Sequence, residues 1–277
     1  MSRDAQHNME QELVCEELPQ DILHHIHSLL LVRDAARVAC VSRGFLRSWR
    51  CYSKLILNDD TLELTDKKFE NREPYIINKV GQILENHHSN GVKVETLKLD
   101  LGSSSNIKAS SVDRWLQIIV KSGIKELDLW VPMFMKENYS FPCSVFSDEE
   151  AATSIQTLRI FDCHVHPMLT LGHLRRLTCL KLSSVRITDE ELGLLLSRIS
   201  ALEWLDLFSC SGIIRLRIPC TLQQLNSLCI MECMMLQVVE VNAPNLCSFH
   251  CGAIHYRRTC IEILFLERRF KKSPALN

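Results

Sequence analysis

The chain has 277 residues and a formal net charge of -1, and 46% of its residues are hydrophobic and 23% charged. This balance is typical of a globular protein and gives no sign of attraction to nucleic acid, an anionic membrane or an acidic substrate. The sequence has no apolar run of about 18 residues and no basic start followed by an apolar stretch, so it predicts neither a transmembrane helix nor a signal peptide. We therefore expect a cytoplasmic or nuclear protein.

The chain contains 13 Cys residues, and this odd number favours reduced thiols over a disulfide framework. Two C-x3-C pairs, Cys229 with Cys233 and Cys247 with Cys251, have a spacing suggestive of a metal site, and a His-containing segment follows Cys163. Small buried Cys residues in a repeat array explain this pattern at least as well. We expect neither a metal ion nor another cofactor.

The N-terminal part of the chain begins with a polar lead, residues 1–17, which we expect to be disordered. Three helices are then predicted between Leu18 and Arg50. Pro19 suits a helix start, and Ser42 caps the third helix. A unit of fewer than roughly 40 residues seldom holds together without a disulfide, a metal or a partner. Association with another protein is therefore the default expectation. The apolar residues that recur on one face of the first helix are Ile22, Leu23, Ile26, Leu29 and Leu30.

This segment resembles an F-box, in particular that of the large plant F-box/leucine-rich-repeat proteins. The resemblance lies in Leu18-Pro19, Asp21-Ile22-Leu23, Arg33 to Arg37, Val41-Ser42-Arg43 and Trp49. It implies an F-box at residues 18–57 that docks on the Skp-like linker of a cullin-RING ubiquitin ligase. The linker-binding residues implied by the motif are Leu18, Pro19, Ile22, Leu23, Ile26, Leu30, Val41 and Trp49.

The motif leaves two questions open. Leu31 and Val32 stand where the F-box pattern usually has Pro, so either the turn after the first helix is looser or that helix is longer. In addition, several of the apolar residues implied to bind the linker could instead pack the three helices together.

Three further helices are predicted beyond the F-box. Residues 58–93 read as a linker and a connecting helix that stops at Asn90-Gly91. A second helix should run from Val112 to Gly123, and a third should begin at Thr188, whose hydroxyl forms a capping box with Glu191.

An internal repeat of the form apolar-x-x-apolar-x-apolar fills residues 94–252. Its copies start 30, 31, 22, 25, 23 and 21 residues apart, and the last four intervals fall within the roughly 20 to 29 residues of a leucine-rich repeat. Three copies place a Cys where this repeat completes its turn, at Cys163, Cys210 and Cys233. We predict an α/β fold in which a three-helix F-box precedes a solenoid of about seven irregular repeats. The copies are VETLKL from Val94, IKELDL from Ile124, IQTLRI from Ile155, LTCLKL from Leu177, LEWLDL from Leu202, LNSLCI from Leu225 and LCSFHC from Leu246.

The strands of such a solenoid point alternate side chains into the core and onto a concave sheet face. On that face we expect two neighbouring columns of side chains, one from Lys98 to His250 and the other from Asp100 to Gly252. Aromatic residues gathered on that face are typical of a binding hot spot, and two cations on it could receive an anion. The alternative is that the insert Val131 to Thr153 folds back and covers Trp130 and Phe161. The predicted target-binding residues are Trp130, Arg159, Phe161, Lys181, Trp204, Phe208 and Met231.

After Gly252 the periodicity fails, and residues 253–277 read as an irregular basic tail. The tail could be a poor cap over the last repeat, a nuclear import signal or, as we favour, a solvated segment.

Catalytic chemistry finds no support, since the sequence lacks a phosphate-binding glycine loop, a G-x-S-x-G turn and an H-E-x-x-H pair. His24, His25 and His27 are expected to be solvated. The favoured function is a non-catalytic substrate receptor of an SCF-type ubiquitin ligase, with the F-box on the linker and the repeats on an unidentified target protein. One alternative is a repeat scaffold that acts without a ligase.

A second alternative is a nucleic-acid binder, in which basic residues of the short helices contact DNA. Acidic residues offset this basic set, which makes the reading weaker. The basic residues are Arg33, Arg37, Arg43, Arg47 and Arg50, and the acidic ones are Glu16, Glu17, Asp21 and Asp34.

Overall fold

The computed structural model of the chain divides into two compact units, Met1–Tyr52 and Ser53–Asn277. The predicted disordered lead, residues 1–17, lies outside the described residues. None of the described helices combines the length and the apolar character that a membrane span requires. The structure describes residues 18–30, 32–49, 52–64, 72–89, 91–102, 107–132, 139–252 and 261–265.

The N-terminal unit contains three short helices, α1 (Gln20–Leu29), α2 (Val32–Ala39) and α3 (Arg43–Trp49). Leu30 has an extended conformation, and its N–H donates to the carbonyl of His27 at 3.0 Å, which ends α1. The missing Pro therefore does not lengthen the first helix. Leu31 itself lies outside the described residues.

The second unit is built on parallel strands. Their main sheet has eight strands in the order β1-β2-β3-β5-β7-β8-β10-β12, and β13-β11-β9 and β4-β6 form two smaller sheets. In chain order the strands are β1 (Lys54–Leu57), β2 (Thr96–Asp100), β3 (Glu126–Trp130), β4 (Ser140–Phe141), β5 (Thr157–Phe161), β6 (His164–Val165), β7 (Cys179–Ser183), β8 (Trp204–Phe208), β9 (Arg215–Ile218), β10 (Ser227–Met231), β11 (Val238–Val241), β12 (Ser248–Gly252) and β13 (Glu262–Phe265).

Four helices of this unit are described, and three of them were predicted. They are α4 (Arg72–Ser89), α5 (Ala109–Lys121), α6 (Glu149–Ser154) and α7 (Asp189–Ser197), with a 3-10 turn at Cys143–Phe146. The capping box that begins α7 is present, because the Thr188 hydroxyl accepts from the Glu191 N–H while the Glu191 carboxylate accepts from the Thr188 N–H.

The structure agrees with the predicted solenoid, since each of the predicted copies overlaps one strand of the main sheet, from β2 to β12. Strands in direct register place equivalent residues side by side, as in the pairing of Leu158 with Leu180 and of Ile160 with Leu182. The repeated aliphatic residues of these strands are buried and form the core. An α/β leucine-rich-repeat solenoid therefore accounts for the second unit.

The predicted turn cysteines share one local geometry. The residue before each Cys has a positive φ, close to 59° at Asp162, 51° at Ser209 and 57° at Glu232. This left-handed step turns the chain away from the sheet, so the following Cys side chain points into the core. Its thiol can then bond backbone carbonyls, as Cys210 does with Leu182 at 3.3 Å. All three turn cysteines, Cys163, Cys210 and Cys233, are buried.

Two boundaries differ from the sequence-based prediction. Lys54–Leu57, assigned to the F-box, is the first strand of the main sheet and pairs with β2, so its Leu55 and Leu57 are fully buried. The tail predicted to be irregular contains β13, which pairs with β11. Neither strand carries the complete repeat motif, which is why the periodicity missed both. The rest of that tail, residues 253–260 and 266–277, lies outside the described residues.

Candidate functional site

The interior of the three-helix unit includes Leu23, which is only 3% exposed. Leu23 packs against Gly44, where a Cβ atom would lie 2.8 Å from its Cδ1. Its assignment to the linker-binding face is therefore wrong, because a side chain enclosed by its own unit cannot contact a partner. Trp49 is half-buried and stacks on Tyr52 at 5.4 Å between ring centroids, and the Tyr52 hydroxyl donates to the Leu30 carbonyl at 2.9 Å.

The exposed side of α1 carries an apolar stripe. Leu18, Ile22 and Leu29 recur at helical spacing, and Leu29 is 74% exposed. Ile26 and Leu30 are half-buried, and Pro19 is exposed. The sequence motif missed Leu29 as a docking candidate, although its exposure is greater than that of the residues named on this helix. We call Leu18, Ile22 and Leu29 the apolar stripe; Val41 and Leu46 are further exposed apolar residues of the same unit.

His27 was predicted to be solvated, and that prediction is wrong, since the residue is 1% exposed. Its Nε2 lies 3.1 Å from the carbonyl oxygen of Ala35, and its ring packs edge-on against Phe45 at 5.4 Å. Burial lowers the pKa of His27 from its usual 6.5, because an apolar environment disfavours the charged imidazolium. Folding of the N-terminal unit therefore favours the neutral form of this histidine.

The second candidate surface is the face of the main sheet opposite the buried leucines, which we call the open face. Side chains from neighbouring strands stand in three rows on it because all the strands are parallel and in register. The central row carries the charges, and the row at the carboxyl ends of the strands carries most of the aromatic residues. These two rows correspond to the two columns predicted from the sequence.

The aromatic row contains a stacked pair. The rings of Trp130 and Phe161 lie 4.1 Å apart at an interplanar angle of 25°. Trp130 is 42% exposed, but Phe161 is only 8% exposed. Phe161 was predicted to contact a target directly; it instead supports the Trp130 ring. The insert Val131 to Thr153, predicted as a possible cover, includes residues 133–138, which lie outside the described residues.

Two exposed aromatic residues stand on a single strand, β8. Trp204 is 56% and Phe208 39% exposed, and they lie on the same face, on either side of Asp206. Ser183, the neighbour of Phe208 in register, is buried, and Met231 on the other side is half-buried. The structure thus places Trp204, Phe208 and Met231 on one surface.

The charged side chains of the central row alternate in sign except between β5 and β7. Arg159 on β5 and Lys181 on β7 are direct neighbours. Lys181 Nζ lies 3.0 Å from Asp206 Oδ2, and Arg159 Nη1 lies 4.0 Å from Asp128 Oδ2. Burial raises the pKa of Asp128, and the nearby cations Arg159 and Lys98 act in the opposite direction.

The cysteine pairs do not converge on a metal site. Among the residues that the structure describes, no group of His, Cys, Asp and Glu has an arrangement suited to a metal ion. Cys233 is buried, and its thiol lies 3.7 Å from the Leu207 carbonyl. Burial raises the pKa of Cys251 to about 11, which keeps this thiol protonated near neutral pH.

Comparison with known proteins identifies the repeat unit. A sequence profile of the family described as "At1g61320/AtMIF1, LRR domain" matches residues 83–265, about two thirds of the chain. The chain belongs to this leucine-rich-repeat family. The match begins within α4 and ends at the last residue of β13, which supports the inclusion of β13 in the repeat unit.

Two curated relatives of this leucine-rich-repeat chain come from Arabidopsis thaliana. The F-box/LRR-repeat protein At3g58900 is 26% identical over 46% of this chain and 38% of its own length. The F-box/FBD/LRR-repeat protein At1g13570 is 22% identical over 69% of this chain and 43% of its own length. The chain therefore spans about two fifths of each relative. Both names confirm the expected resemblance to plant F-box/leucine-rich-repeat proteins.

Proposed function

We propose that the protein is a non-catalytic substrate receptor of an SCF-type ubiquitin ligase. In this proposal the three-helix unit is an F-box that docks on a Skp-like linker, and the open face of the main sheet holds a target protein. Other subunits of the ligase supply the chemistry of ubiquitin transfer. The receptor contributes proximity, because a tethered target presents its lysines at a raised effective concentration.

The apolar stripe is the observation that carries the proposal. Surface leucines scattered singly need no explanation, whereas three apolar residues on one side of a short helix in so small a unit indicate a protein-binding surface. Leu29 is 74% exposed and Ile22 42%, so covering them would remove apolar area from water. The F-box in the names of both relatives agrees with this proposal.

Capture of a purified Skp-like linker by the full chain tests the proposal. We expect Ile22→Asp and Leu29→Asp each to abolish capture, because a carboxylate would be buried without a partner at the interface. Leu169→Asp is the matched control, since Leu169 is 78% exposed and belongs to the repeat unit. Full capture by the Asp variants would refute the docking face. Absence of capture by the unaltered chain would favour a repeat scaffold that acts without a ligase.

The target-binding end needs a separate test. Proteins whose ubiquitination depends on this chain can be identified by comparing cells with and without it. We expect Trp130→Ala and Phe208→Ala together to remove binding of such a target, because both rings are exposed on the open face. Linker capture should remain unchanged in this variant. Retention of the target would show that recognition uses another surface.

A further inference from the structure

The central row of the open face contains two cations at adjacent positions on neighbouring strands. Arg159 and Lys181 are paired across β5 and β7, where neighbouring strands lie about 4.8 Å apart. Like charges directly opposite one another on a sheet are unfavourable. Each cation contacts a carboxylate on its outer side, Asp128 or Asp206. The space between the two cations is therefore bounded by positive charge.

Both cations retain N–H donors for a ligand. The 3.0 Å contact with Asp206 uses one of the three donors of the Lys181 ammonium. The 4.0 Å separation between Arg159 and Asp128 is too long for a hydrogen bond. The side chains of Arg159 and Lys181 are 32% and 35% exposed, so both can be reached from solvent. They are also shielded enough for a charge-assisted hydrogen bond to contribute to binding.

The carboxylates around the two cations limit the charge of the partner. Asp128 and Asp206 flank Arg159 and Lys181 in the row, so these four residues together carry no net charge. Lys98, at the end of the row, stands beside Asp100 and Glu126 on the same face, and their charges offset it. A dianionic phosphate between Arg159 and Lys181 would bring two negative charges close to two carboxylates, whereas a single carboxylate brings one. The pair therefore suits a monoanion better than a dianion.

An apolar surface lies directly beside this charge. Phe208 follows Asp206 by two residues on β8, so both side chains stand on the same face, and the Phe208 ring is partly exposed. Trp204 borders the row on the opposite side. A segment that places a carboxylate on the central row would therefore bring its adjoining side chains against these aromatic rings.

We propose that the open face recognises an acidic peptide segment of its target, with a Glu or Asp carboxylate between Arg159 and Lys181 and a neighbouring apolar side chain against Phe208. The inference rests on the proposed receptor function and names the chemistry of its target. The source of the charge is a carboxylate of a protein, because a dianionic phosphate would lie close to both Asp128 and Asp206.

Immobilised degenerate nonapeptides provide the probe. Their central position is fixed as Glu, Gln, Lys or phosphoserine, and one adjoining position is fixed as Leu or Asn. The purified full chain is applied alone and with the linker. We expect the Glu-Leu peptides to retain at least roughly tenfold more protein than the Gln-Leu or Lys-Leu peptides, as one charge-assisted hydrogen bond can provide. Replacing Leu by Asn should reduce this signal.

Variants assign the signal to the central row. Arg159→Gln and Lys181→Gln, made singly and together, should remove the preference for Glu over Gln. The control pair Arg114→Gln and Arg217→Gln removes two charges from α5 and β9, where both side chains are largely exposed, and should retain the preference. Thermal unfolding verifies that each variant folds. Raising the salt concentration on the unaltered chain should also weaken the Glu signal.

The outcomes separate this inference from the receptor proposal. Equal binding of Glu and Gln peptides, a stronger signal for phosphoserine than for Glu, or an unchanged preference in the Arg159 and Lys181 variants would overturn it. Failure of linker capture would overturn the receptor proposal alone. A Glu preference that depends on the two cations would support the inference in either case, since the three-helix unit does not contribute to the row.

Discussion

Leu29 provides a quantitative test of the proposed docking surface. Full burial of a Leu or Ile side chain contributes about 1.5 to 3 kcal/mol. Leu29 is 74% exposed, so covering it contributes roughly 1.1 to 2.2 kcal/mol. Ile22 is 42% exposed, which corresponds to roughly 0.6 to 1.3 kcal/mol. Truncation to Ala should therefore weaken linker affinity about 6- to 40-fold for Leu29→Ala and about 3- to 9-fold for Ile22→Ala.

Titration calorimetry of the purified linker into the full chain measures both affinities directly. The order of the two effects matters as much as their size, because it follows from exposure alone. Leu169→Ala, on the repeat unit, should leave the affinity unchanged. If Leu29→Ala weakens binding less than about twofold, the linker does not cover the exposed side of α1, and the docking surface is assigned incorrectly.

Three other predictions concern stability. Leu23→Ala should lower the unfolding free energy of the N-terminal unit by about 2 to 4 kcal/mol, seen as faster hydrogen exchange in α1–α3, and unchanged exchange would contradict its burial. Burial lowers the pKa of His27 from 6.5, so the unfolded chain takes up the proton first as pH falls. The stability of the N-terminal unit is therefore fully present above about pH 6.5 and decreases below it. Hydrogen exchange corrected for intrinsic rates should lose this pH dependence in His27→Gln and retain it in His25→Gln. Gly212→Ala should lower the unfolding free energy by roughly 2 kcal/mol or more in chemical denaturation, because Gly212 has φ +96° and an added Cβ would lie 2.7 Å from a backbone oxygen. Gly193→Ala should not lower it, because Gly193 is on a helix and an added Cβ there would meet no other atom within 4 Å.

The repeat strands and the α7 capping box were predictable because each depends on short-range sequence. The hexapeptide pattern alternates at the period of a strand, and the Thr188 and Glu191 side chains meet within one helical turn. β1 and β13 escaped prediction for a different reason. Each is four residues long and becomes a strand through pairing with a neighbour that already belongs to a sheet.

The candidate site was likewise predictable only in part. The apolar residues of the first helix were recognisable from their spacing, but their spacing does not state which side faces inward. Leu23 and Ile22 are adjacent in the chain, yet one is enclosed against Gly44 and the other is exposed. That difference depends on how α1 and α3 pack. On the open face, the sequence likewise predicted Phe161 as a contact residue, whereas the structure buries it and stacks its ring on Trp130.

Local pattern by itself determined that this chain forms leucine-rich repeats, which residues of each strand enter the core, and which alternate positions form the open face. Periodicity contains that information because neighbouring residues on a strand point in opposite directions. Only the tertiary structure decided which side of α1 is exposed, that His27 is buried, and that Phe161 is buried and stacks on Trp130. These features depend on residues far apart in the chain, whose distances are set by helix packing and strand register.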